Sequence, residues 1–320
     1  MNAFARTRSA TRTGTGARTR TRPGRRHRHN GWGYLFLAPW LLGFFLLVLG
    51  PMAASFALSF TDFNLFDPPH WIGLDNYTHA FFDDERFWNS LSVTFQYVFA
   101  SVPARLAFAL AVAMLLNRGV AGLRVYRAIY YLPSLLGGSV AIAVLWRQLF
   151  GSDGLLNHVL SWFGADTGHS WIADPDTSLL TMIVLAAWQF GSPMIIFLAG
   201  LRQIPSELYE AAELDGAGPF TRFRSVTLPL LSPLIFFNLL LQVIGAFQAF
   251  TPAYVVSNGT GGPSDSTLFY TLYLYEEGFT QFHMGYASAL AWVLFAVIAV
   301  FSAIAFLTSR YWVHYADVRS

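Results

Sequence analysis

Long apolar runs alternate with short polar stretches along almost the whole of this chain. Six runs reach the roughly 20 mostly apolar residues that a helix needs to cross a bilayer. They extend from about Tyr34 to Phe60, Leu91 to Leu116, Ala128 to Phe150, Leu179 to Leu201, Leu230 to Val255 and Tyr286 to Leu307. Pro39, Pro51, Pro103 and Pro133 fall inside them. Membrane helices accept proline where neighbouring groups satisfy the carbonyl it frees. The pattern predicts an all-α integral membrane protein with six transmembrane helices.

Composition agrees and narrows the chemistry. Of the 320 residues, 54% are hydrophobic and only 12% charged, where soluble domains carry about a quarter. Cysteine is absent, which removes disulfides and thiolate metal sites. The histidines are scattered, without a His-Glu-x-x-His element, so no metal site is assigned. All twenty basic residues are arginine, and nine of them lie in residues 1–30, which hold no acid. That tail is low in complexity and too poor in apolar surface to fold. A basic arm can bind nucleic acid, but beside a bilayer it reads as a solvated arm near anionic head groups. No nucleic acid partner is therefore expected. Arg25-Arg26 raises a twin-arginine export signal, yet the next apolar run is too long for a cleaved signal and reads as a retained anchor. The expected domains are a disordered tail over 1–30 and a transmembrane domain over 31–320.

Arginine placement orients the spans. With the tail inside, the segment holding Arg118, Arg124 and Arg127 is cytoplasmic, as is that holding Arg202, Arg222 and Arg224. The C-terminus, with Arg310 and Arg319, falls on the same side. The three opposite segments hold thirteen carboxylates against one arginine, Arg86; Arg147, at an outer helix end, is a mild exception. Both termini are expected in the cytoplasm of a bacterial cell, with the protein in its plasma membrane.

The cytoplasmic stretch over 202–229 is unusually elaborate. Ser206 is a candidate N-cap with Glu207 in the first turn, and the helix can run through Glu213. Gly216 suits a left-handed terminating residue, and Pro219 suits the start of a second short helix. Pro229 then marks entry to the fifth span. Paired alanines and a glycine-bounded turn suit a knob for a groove in another protein; the alternative is a solvated loop.

Glu210-Ala211-Ala212, then Gly216, then Val226-Thr227-Leu228-Pro229 resembles the coupling-loop signature of ABC importer permeases. The fuller "YEAAELDGAG" is similar to the carbohydrate-uptake branch, which takes up maltose, multiple sugars or glycerol-3-phosphate. The stretches at 87–98, 127–133, 261–279 and 284–295 fit the same branch, so the resemblance covers nearly everything after residue 30. It implies a loop docked on a cytoplasmic ATPase, with Glu210, Ala211, Ala212, Asp215, Gly216, Leu228 and Pro229 as coupling residues. It also implies a second permease in a heterodimer, two ATPase subunits, an extracytoplasmic solute-binding protein and a sugar substrate. Without lysine this chain has no phosphate-binding Gly-x-x-x-x-Gly-Lys-Ser/Thr loop. ATP and Mg2+ are thus expected on the partner subunits, no cofactor on this chain, and no enzymatic activity of its own.

In the fifth span Asn238, Gln242, Gly245 and Ala249 recur on one helix face, with Gln248 about 80° to one side. The fourth span adds Trp188, Gln189 and Ser192. Amides beside aromatic rings suit a sugar, whose hydroxyls need donors and acceptors. The same residues also serve as packing glue between helices, and both readings stand at this level; in the resembling family these two spans line the solute site. Arg105, deep in the second span, is a functional candidate, with a structural partner or snorkelling as alternatives. A secondary carrier would more often show ten or more spans or an internal repeat, and a membrane enzyme would need a catalytic cluster that is not found.

Overall fold

A computed structural model describes residues 31–119, 122–164 and 168–314. The arginine-rich tail and Arg319 lie outside these residues. The described residues are almost wholly helical, with a single isolated β-bridge between Thr61 and Trp71.

The chain divides into two units, residues 1–51 and 52–320. The described part of the first is helical. Its apolar side chains, among them Phe36, Trp40 and Leu47, are exposed, and Trp40 stacks on Phe44 with ring centres 5.4 Å apart. This helix belongs to α1, the span Phe36–Leu58.

In the second unit three further helices are long and apolar enough to cross a membrane: α2 (Glu85–Asn117), and two that follow later in the chain. Between α2 and those two lie two bent pairs. The first is α3 (Leu123–Leu136) with α4 (Val140–Leu149), bent by 97°; the second is α5 (Pro175–Trp188) with α6 (Gly191–Leu201), bent by 41°. A short helix, α7 (Ser206–Leu214), precedes α8 (Pro219–Val256), and α9 (Met284–Trp312) closes the series. Counting each bent pair once, six spans result, and their cores coincide with the six apolar runs.

Helix α2 is the axis of this unit, packed against α5, α6 and α8. Its buried positions include Ser90, Thr94, Ser101, Ala109 and Ala113. Small side chains let helix backbones approach closely, which replaces the hydrophobic drive that lipid does not supply.

Two expectations need correction. Ser206 is the first residue of α7, not its cap: Pro205 occupies that position, and no side chain caps the helix. The second short helix is also not separate from the fifth span, because α8 begins at Pro219 and runs past Pro229. Pro229 has no N–H, and its ring would strike the carbonyl of Ser225 in a regular helix. A π-helical turn at Phe223–Thr227 widens the helix just there, with the Leu228 N–H bonded to the Phe223 carbonyl. The helix absorbs the proline and continues.

Candidate functional site

The two bends meet, and each satisfies what the other leaves open. Pro193 cannot donate to the carbonyl of Gln189, four residues earlier, so that carbonyl is orphaned inside the bundle. Ser134 Oγ on α3 donates to it at 2.7 Å, and Arg105 Nε on α2 donates at 2.9 Å. The same Ser134 Oγ accepts from the Ser192 N–H at 3.0 Å. In return Gln189 Nε2 donates to the carbonyl of Gly137, at the end of α3, at 3.2 Å. Beyond that break Ser139 caps α4 by accepting from the Ile142 N–H at 3.4 Å. Gly137 is needed for the approach: a Cβ there would lie 2.1 Å from Gln189 Cδ.

Beside this junction lies a cavity of about 210 Å³. Its polar wall comes from Tyr97, Ser101 and Arg105 on α2, from Gln189, and from Gln242 on α8, with the backbone of Gly137 and Gly138. Gly245 and Ala249 complete the α8 face. No Asp or Glu lines it. The structure thus brings Gln189, Gln242 and Arg105 to one space.

The other candidates of the fourth and fifth spans lie elsewhere. Asn238 is 1% exposed, and its Nδ2 donates to the Leu234 carbonyl at 2.9 Å, one turn back on its own helix. Trp188 packs on Trp146 with ring centres 6.0 Å apart. Ser192 contributes its backbone N–H to the junction, and Gln248 is exposed where α8 is interrupted at 248–250.

The segment around α7 forms a second site. Helix α7 ends in a Schellman motif: the Ala217 N–H reaches the Ala212 carbonyl at 2.9 Å, and the Gly216 N–H the Glu213 carbonyl at 3.0 Å. Gly216 sits at φ +79°, with open space where a Cβ would be. Glu210, Ala211 and Asp215 are exposed, Ala212 half-buried. Leu214 is 90% and Phe220 73% exposed, an apolar pair beside charged residues. Leu228 is exposed and Pro229 half-buried. Two contacts hold α7 against the start of α8: Arg222 Nη1 to Glu213 Oε2 at 2.9 Å, and Tyr209 to Thr227 between hydroxyls at 3.0 Å.

A third cluster was not foreseen from sequence. Asp84 caps α2, accepting from the Phe87 N–H at 3.0 Å, and also accepts from the hydroxyls of Tyr273 and Tyr286. Burial pushes its carboxyl up, but these hydrogen bonds and nearby His79 outweigh burial and hold it below the usual carboxylate range. Next to it Arg86 pairs with Asp265 at 2.9 Å and Glu276 at 3.1 Å. The fully buried Tyr270 takes its N–H to Thr94 Oγ1 and its hydroxyl to the Leu290 carbonyl, both at 2.8 Å. The stretches at 87–98, 261–279 and 284–295 are thereby one packed structure.

Bent spans around a polar cavity, with a capped knob beyond the spans, are the architecture of a helical membrane transport protein. The family model "Binding-protein-dependent transport system inner membrane component" matches residues 82–314. The "Probable ABC transporter permease protein YesP" of Bacillus subtilis is 52% identical over 283 residues, covering 88% of this chain and 92% of that protein. The "Arabinooligosaccharides transport system permease protein AraP" of the same organism is 34% identical over 276 residues, covering 85% and 86%. A chain of a bacterial alginate ABC transporter, solved with an alginate pentasaccharide-bound periplasmic protein, shares the fold with a TM-score of 0.73 at 22% identity, covering 88% and 94%. The chain belongs to the family of inner membrane components of binding-protein-dependent transport systems; it is a multi-pass ABC-type permease.

Proposed function

We propose that this chain is the permease subunit of an ATP-driven importer for a sugar or oligosaccharide in a bacterial plasma membrane. It pairs with a second permease, and two cytoplasmic ATPase subunits carry the ATP and Mg2+. An extracytoplasmic solute-binding protein delivers the substrate. Both termini and the α7 segment lie in the cytoplasm, in keeping with the arginine distribution. The sugar reading draws on relatives named for arabinooligosaccharides, lactose and starch degradation products, and on a cavity whose amides suit hydroxyls.

One observation carries the coupling reading: α7 presents Glu210, Ala211 and the almost fully exposed Leu214 outside the spans, held rigid by the Schellman turn and the Glu213–Arg222 pair. The exposed apolar pair Leu214 and Phe220 supports a docking surface there. The Gly216 backbone suits glycine, and since nothing lies near its Cβ position the cost of a side chain is conformational: about 1 kcal/mol or more, worst for a β-branched residue. Gly216→Val tilts the knob, and Glu210→Lys reverses a charge on its face. Both variants insert and pair with the second permease normally, yet lose ATPase co-purification or binding-protein-stimulated ATP turnover in proteoliposomes. Wild-type recruitment and stimulation in both would show that the segment is no coupling joint.

A further inference from the structure

The cation in the cavity has no counter-charge. Arg105 spends its Nε proton on the Gln189 carbonyl, and no other hydrogen bond from its guanidinium to the described residues is present. None of the ion pairs among the described residues includes it, and no carboxylate lines the cavity. A guanidinium inside a membrane protein is costly to leave unpaired. Here the cost is incurred beside a space large enough for a ligand. The anchor on Gln189 also fixes the plane of the fork, leaving the two terminal nitrogens to bind a planar anion in bidentate fashion.

We infer that this cavity is a binding site for a sugar bearing a carboxylate, a uronate, with Arg105 as its counter-ion. The inference rests on the sugar-importer reading and narrows its substrate class. Gln242 and the amide oxygen of Gln189 remain for hydroxyls. One guanidinium balances one carboxylate; a phosphorylated sugar, with nearly two charges at neutral pH, would keep one uncompensated.

The test measures initial uptake in cells that carry the complete importer with this permease replaced by variants. Probes are 14C-labelled digalacturonate, dimannuronate and glucuronosyl-glucose, against neutral galactobiose, mannobiose and cellobiose. Wild type takes up at least one uronate. Arg105→Gln lowers that rate at least about tenfold, the loss of a charge-assisted pair, with membrane level and partner co-purification unchanged. Import of neutral sugars alone by wild type overturns the uronate site and leaves the sugar reading standing; import of none of the probes overturns both. An equal loss of neutral and uronate uptake in Arg105→Gln marks a structural arginine and also overturns the site. Should Arg105→Gln fail to assemble, Ser101→Asp decides: it sets a fixed carboxylate one turn from Arg105 and must block uronate uptake, and undiminished uptake rejects the inference.

Discussion

At the scale of single residues, two amides that share one predicted helix face part company. Gln242 lines the cavity, whereas Asn238, one turn earlier, is buried with its amide bonded to its own helix. Periodicity places residues on a face but cannot say how far along that face a cavity extends. Gln242→Leu therefore removes a partner for substrate hydroxyls, worth about 1–3 kcal/mol, and lowers uptake roughly tenfold or more. Asn238→Leu, similar in volume and remote from the cavity, keeps uptake close to wild type at equal membrane levels. Equal uptake by the two variants, normal or impaired, would remove the distinction on which the cavity assignment depends.

At the scale of elements, apolar runs of sufficient length made the six spans legible, and Gly216 followed from turn chemistry. The bends were less legible because proline does not act alone. Pro103 lies inside the uninterrupted α2, while the α5–α6 bend depends on Ser134 and Arg105 arriving from other helices to donate to the freed Gln189 carbonyl. The cluster around Asp84 and Arg86 was illegible, since its partners lie 179 to 202 residues away in sequence. It makes a prediction for the segment it anchors. The folded Asp84 carboxyl lies below its ordinary value, so its contribution is fully present above about pH 4. It is lost as the pH falls through the lower folded value. Amide exchange at Tyr270–Tyr275, corrected for intrinsic rates, should therefore rise between pH 5 and strongly acid solution. Asp84→Ala removes both a helix cap and the acceptor of two phenols. It should open the segment by about 2–3 kcal/mol at neutral pH and abolish that acid dependence. Unchanged protection in the variant would mean that Asp84 does not anchor the segment.

At the scale of the whole molecule, the question is what drives transport. A proton-coupled carrier relays its ion through carboxylates set within the membrane helices. In the described spans the acids, Glu85 and Asp176, sit only in first turns, and the charge deepest in α2 is the cation Arg105. No Asp, Glu or His lines the cavity wall. The device the chain does possess is the capped knob of α7, braced on the same helix α8 that supplies Gln242 to the cavity. On the proposed reading, a push on the knob is applied to a wall of the cavity and would link the ATPase mechanically to the substrate. Uptake into proteoliposomes holding the assembled importer should then require ATP on the ATPase side and binding protein on the other. Collapse of the proton gradient by an uncoupler, with ATP held constant, should leave the initial rate unchanged. Uptake that persists without ATP and stops on adding the uncoupler would assign the chain to secondary transport, whatever its fold.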